Sequence, residues 1–150
     1  MIEVKNLTFK FGNKTVLESI DVRFSDGEFV LLAGNNGAGK STFLKCLMGI
    51  LAPCGGEIRF EENLSRKKIG FITDRLSLFE NLSVQQSIDL HCRIYGISSF
   101  NDELLGQLDL DKKEAVKSLS VGERTMLLFS LVMAQEPKLL LIDEIMHALD

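Results

Sequence analysis

Residues 34–42 read Gly-Asn-Asn-Gly-Ala-Gly-Lys-Ser-Thr. They fit the phosphate-loop pattern G-x-x-x-x-G-K-[ST], with Gly34, Gly39, Lys40 and Ser41 at its fixed positions. The run before the loop, residues 28–33 (Glu-Phe-Val-Leu-Leu-Ala), reads as a short apolar strand. The run after it spaces Phe43, Leu44, Leu47 and Met48 along one face of a helix. Glycines let such a backbone curl until successive N–H groups point at a polyphosphate. The helix N-terminus adds partial positive charge. Gly34, Asn35, Asn36, Gly37, Ala38, Gly39, Lys40, Ser41 and Thr42 are therefore the candidate phosphate-binding residues. Lys40 is expected to reach the β- and γ-phosphates, and the Ser41 hydroxyl to ligate Mg²⁺. A glycine-rich turn that happens to precede a helix is the plainer alternative, and the strand-loop-helix context argues against it.

Composition agrees with a globular domain. The 150 residues are 45% hydrophobic and 25% charged, enough for one core. A net charge of −4 does not favour nucleic acid as a partner. Cys46, Cys54 and Cys92 are widely spaced and form no C-x-x-C, so neither a disulfide framework nor a zinc site is expected, and a reducing cytosol is the natural setting. Cys46, on the helix after the loop, reads as a small buried residue. No apolar run approaches the ~20 residues a membrane-crossing helix needs. The first residues, Met-Ile-Glu-Val-Lys, do not have the form of a signal peptide.

Strands are expected over residues 2–9 and 15–24, joined by a turn at Phe11-Gly12-Asn13-Lys14. Two shorter ones follow, at 57–60 and 68–73. Val84, Ile88, Leu90 and Ile94 predict an amphipathic helix over 83–96, with Ser83 as its cap. Further helical segments are read at Leu104-Leu105, at 112–116 and at 124–135. Residues 138–143 form an unbroken apolar run into Asp143, the pattern of a strand buried on both faces. The whole chain, 1–150, reads as one α/β domain with a helical insertion at about 76–118.

The run Leu-Leu-Leu-Ile-Asp-Glu at 139–144 ends in two carboxylates. Beside a phosphate loop, Asp143 can hold Mg²⁺ or its water shell. Glu144 can then orient or deprotonate an attacking water. Read alone, the same run is a core strand with solvated charges at its end. The phosphate loop a hundred residues earlier favours the functional reading.

Residues 119–123, Leu-Ser-Val-Gly-Glu, introduce an apolar helix that leads into this strand. Ser120 and Glu123 have the spacing of a capping box. The pentapeptide also resembles the L-S-G-G-Q signature of the ATP-binding-cassette (ABC) ATPases, at the family's usual place between the other two motifs. The resemblance covers the whole chain. It implies a P-loop fold with a mostly parallel RecA-like sheet, an antiparallel β subdomain and a small helical insertion. It implies ATP and Mg²⁺ as ligands, with Lys40 and Glu144 as catalytic residues. Ser120, Gly122 and Glu123 would meet the γ-phosphate of ATP held by another subunit. Phe11 stands where the family has an aromatic that stacks on adenine; the plainer alternative is that Phe9 or Phe11 is simply core. Asp150 resembles an Asp that communicates across the family's dimer interface.

Four departures accompany the resemblance. Asp74 stands where the family has a Gln that touches Mg²⁺ and the membrane partner, so it is carried as an altered metal site. Val121 replaces the second signature glycine; a β-branched residue disfavours positive φ, so ordinary backbone is expected there. Ile145-Met146 replaces Pro-Thr after Glu144. The chain stops at Asp150, before the family's next strand and its γ-phosphate His, and neither His91 nor His147 is carried over to that role. In this sheet order the missing strand lies between the phosphate-loop strand and the Asp143 strand. The sequence is therefore expected to be the N-terminal part of a longer domain.

The function the resemblance implies is ATP binding and hydrolysis by the nucleotide-binding subunit of an ABC membrane transporter. That subunit works as a homodimer, or as a heterodimer with another ABC ATPase domain, on transmembrane permease subunits at the cytoplasmic face of the membrane. The short insertion points to an exporter type. The alternatives are a soluble, non-transport ABC ATPase and a truncated ATP binder without hydrolysis.

Overall fold

The computed structural model describes residues 1–60, 64–73, 78–101, 103–106 and 110–143, with the Leu104 side chain left aside. The chain divides into two compact units, Met1–Arg66 and Lys67–Asp150.

In the first unit, strands β1 (Ile2–Phe11) and β2 (Lys14–Phe24) form an antiparallel hairpin, and β3 (Gly55–Phe60) pairs antiparallel with β1 on its other side. The hairpin is longer than the alternation predicts, because Phe11 and Lys14 still pair across the two-residue turn. Buried residues of β1 fall at Ile2, Val4, Leu7 and Phe9, so the period of two slips once. The slip lies at Asn6, whose φ of 49° bulges the strand. The Asp21 carboxylate accepts from the Asn6 N–H at 2.8 Å and holds the bulge. Helix α1 (Lys40–Leu47) buries Phe43, Leu44, Cys46 and Leu47, with the Phe43 ring 6.4 Å from that of Phe24. Cys46 is buried as expected, and burial pushes its thiol pKa up.

Residues 28–33 differ from expectation. They belong to no strand, and Phe29 and Leu31 are 96% and 80% exposed. An apolar run becomes a strand only when a neighbour completes its ladder, and none does so among the described residues.

The second unit contains a parallel pair, β4 (Ile69–Thr73) with β5 (Leu139–Asp143), in register from Ile69↔Leu139 to Thr73↔Asp143. Gly70 lets this sheet meet the helix before β5. A Cβ there would lie 2.6 Å from Val132 Cγ1 and 3.2 Å from Pro137. The expectation that β5 is buried on both faces is corrected: Leu141 and Asp143 are buried while Leu140 and Ile142 are exposed. Among the described residues only one face of β5 is covered.

Helices α2 (Val84–Tyr95), α3 (Glu103–Gly106) and α4 (Val121–Met133) complete this unit. Their shared core is Val84, Ile88, Leu105, Leu127 and Leu131, with Val116 and Leu119 from the loop before α4. Ser83 caps α2 as predicted, in a reciprocal pair with Gln86. Ile94 is exposed rather than on the core face, since ten steps of about 100° carry it well off the Val84 line. The helix expected at 112–116 is also corrected. Asp111 closes a turn there, accepting from Lys113 N–H through Oδ1 and from Glu114 N–H through its carbonyl, both at 2.9 Å. The backbone that follows is used in a short antiparallel ladder: Val84 N–H donates to Glu114 O, Val116 N–H to Leu82 O, and Lys117 N–H to Glu80 O. Only Val116–Ser118 coils, as one 3₁₀ turn.

Candidate functional site

The phosphate loop ends in a left-handed glycine. Gly39, at φ 97°, is the N-cap of α1. Its own carbonyl accepts from Phe43 N–H at 2.8 Å, which starts the helix. Within the loop, Ala38 N–H donates to Asn35 O at 3.1 Å, and Gly37 has φ 81°. The Lys40 ammonium folds back over the loop and donates to the carbonyls of Gly34 at 2.7 Å and Asn35 at 3.0 Å. It therefore braces the curl of the loop.

The start of α1 carries no side-chain cap and no acidic residue in its first turn. Helices α2 and α4, by contrast, both begin with capping boxes. The first N–H groups of any α-helix lack an acceptor one turn back within the helix. An anion is the natural complement of such an end. The hairpin backs this loop: Val16 and Leu17 lie against Gly39. Phe11 sits at the same end of that hairpin, 56% exposed, its ring edge-on to Phe9 at 4.9 Å. Phe9 is the buried one of the pair and Phe11 the exposed one.

In the second unit, Asp143 ends β5 opposite Thr73 and is buried. Asp74 and Glu144, the next residues along each chain segment, lie outside the described residues, as does Asp150. No cluster of three metal-ligating side chains occurs among the described residues.

The signature residues open α4. Ser120 Oγ accepts from Glu123 N–H at 3.3 Å, and the Glu123 carboxylate accepts from Ser120 N–H at 2.7 Å. The Ser120 hydroxyl and then its N–H hold the Glu123 carboxyl below the usual carboxylate range. Val121 takes ordinary helical backbone, as its β-branch requires. Gly122 is helical too, and a Cβ there would meet nothing within 4 Å. The glycine is thus required neither by backbone shape nor by packing among the described residues. Arg124, which no motif named, holds the loop from behind.

The ABC transporter family model matches residues 17–147. SrtF, a lantibiotic transport ATP-binding protein of Streptococcus pyogenes, is 33% identical over 160 residues, covering 100% of this chain and 69% of that protein. ZnuC, a zinc import ATP-binding protein of Buchnera aphidicola, is 30% identical over 156 residues, covering 99% of this chain and 62% of that protein. A solved ATP-binding subunit of an ABC transporter superposes with a TM-score of 0.86 at 27% identity, covering 100% of this chain and 68% of that one. The chain belongs to the ABC transporter family and has the P-loop fold of its ATP-binding subunits, which are ATPases. It spans about two thirds of the length of these relatives. Among the described residues, no helix is long and apolar enough to cross a membrane.

Proposed function

We propose that this chain, residues 1–150 acting as one cassette, binds and hydrolyses ATP as part of the nucleotide-binding subunit of an ABC membrane transporter. The observation that carries the reading is the start of α1, left without a side-chain cap behind a left-handed Gly39 and braced by Lys40. A polyphosphate fits that cradle: α2 and α4 begin with capping boxes, whereas α1 has no side-chain cap. Phe11 offers the adenine a ring face.

The oxygen donors Ser41 and Asp143, with Asp74 as a further carboxylate, are the kind Mg²⁺ takes. When bound, Mg²⁺ neutralises the charge on the phosphate oxygens. Lys40 holds the transferred phosphoryl group, and Glu144 orients and deprotonates the water that attacks it. Ser120, Gly122 and Glu123 face the nucleotide of a second ABC ATPase domain, identical or different. Closure of the two drives permease subunits from the cytoplasmic side of the membrane.

Relatives do not favour an exporter type. ZnuC is an import protein by name, so import and export stand equal for this chain.

Glu144→Gln in the full-length protein tests the reading by light scattering. The variant is expected to bind ATP and remain dimeric in Mg²⁺-ATP. A variant that binds ATP yet stays monomeric contradicts the face-to-face arrangement and favours a non-hydrolysing binder. A variant that hydrolyses ATP at the parent rate removes Glu144 from the chemistry.

A further inference from the structure

One side chain ties together the loop that delivers Ser120. The Arg124 guanidinium donates from Nε to the Leu119 carbonyl at 3.1 Å, and from Nη2 to the Lys117 carbonyl. From Nη1 it reaches Glu80 Oε1 at 3.5 Å. Two of the three acceptors are therefore backbone atoms of residues 117–120, and the third stands on the segment leading into α2.

That segment is already fastened to the same loop by backbone. Lys117 N–H donates to Glu80 O at 3.1 Å and Val116 N–H to Leu82 O at 2.9 Å. Arg124 closes this ladder from the helix side. Its position is otherwise unfavourable, because a cation in the first turn opposes the helix dipole. The carbonyls and Glu80 offset that cost.

Lysine cannot make this contact. It presents one compact ammonium, whereas the planar guanidinium reaches three acceptors in fixed directions. Phe79, next to Glu80, is 67% exposed.

We propose that Arg124 is a positioning residue. It fixes residues 117–120 in the shape that presents Ser120 and Gly122 to the nucleotide of the facing copy, and it joins them to the Phe79–Glu80 segment so that the two shift as one piece. The proposal rests on the reading of function given above.

The test uses the full-length protein carrying Glu144→Gln as the parent, with Arg124→Met, Arg124→Lys and Glu80→Gln added singly, and Arg124→Met with Glu80→Gln together. Affinity for a fluorescent ATP analogue at the protein's own phosphate loop should stay within about twofold of the parent, as for a change that does not touch that loop. Dimerisation in Mg²⁺-ATP should weaken about tenfold in both Arg124 variants, the scale of one charge-assisted hydrogen bond lost. Amide exchange over residues 116–123 should quicken. The double variant should be no worse than Arg124→Met alone, because both remove one network.

Parent-like dimerisation and exchange in Arg124→Met overturn the proposal. If that variant does not fold, Arg124→Lys decides, and parent-like behaviour there overturns it equally. If the parent itself never dimerises with ATP, the functional reading has failed. Exchange over 116–123 then decides the positioning claim alone: quicker exchange in Arg124→Lys supports it, and unchanged exchange refutes it.

Discussion

Gly39 and Val16 are packed so closely that a Cβ on Gly39 would stand 3.1 Å from both Val16 Cγ1 and the Val16 carbonyl oxygen. It would also stand 3.0 Å from a Leu17 methyl. The glycine is fixed twice, by its left-handed φ of 97° and by the hairpin behind it. The second β-strand thereby sets the curl of the phosphate loop.

Gly39→Ala should lose ATP binding and destabilise the protein by about 1–3 kcal/mol, from backbone strain and overpacking together. Titration calorimetry and thermal unfolding check this. ATP affinity equal to the parent's would show that the hairpin gives way and does not shape the loop.

Gly122 is the contrasting case. Its backbone is helical and its surroundings open, so Gly122→Ala should stabilise α4 by about 0.5–1 kcal/mol. The same methyl should weaken ATP-driven dimerisation, because it stands where the facing copy's nucleotide is proposed to approach. Unfolding and light scattering on one variant separate the two effects. Higher stability with unimpaired dimerisation would remove Gly122 from the interface.

Much of this was legible in the sequence because it depends on local order. The phosphate loop, both capping serines and the hairpin turn are each specified by fewer than a dozen consecutive residues. What failed depends on neighbours far along the chain. The apolar composition of residues 28–33 cannot say whether a strand lies alongside, and among the described residues none does. Residues 112–116 have helical spacing, but a ladder with residues 80–85 takes their backbone. Arg124 left no signal beyond adjacency to the signature, since contacts to carbonyls have no sequence period. Only the break in alternation at Asn6 hinted at the bulge in the first strand.

His91 supplies a pH dependence. Its Nε2 lies 3.0 Å from Gln135 Nε2, and its ring packs on Tyr95 at 4.5 Å. Burial lowers its pKa from the ordinary 6.5, more than a hydrogen bond with the Leu131 backbone raises it. The unfolded chain then binds the proton better, so stability from this site is present above about pH 6.5 and is lost as pH falls from there through the lowered folded value. Denaturant unfolding between pH 7.5 and about 5 should show this loss, and His91→Gln should remove part of it. The same slope in His91→Gln as in the parent would assign the effect to other groups.

The proposed site of ATP binding is the loop from Gly34 to Thr42, closed by Lys40. Titration calorimetry of Mg²⁺-ATP into the full-length protein and into Lys40→Ala measures it most directly. Saturable one-site binding is expected in the parent, with a loss of at least about a hundredfold in the variant, near 2.7 kcal/mol. Equal affinity in the two proteins would contradict it.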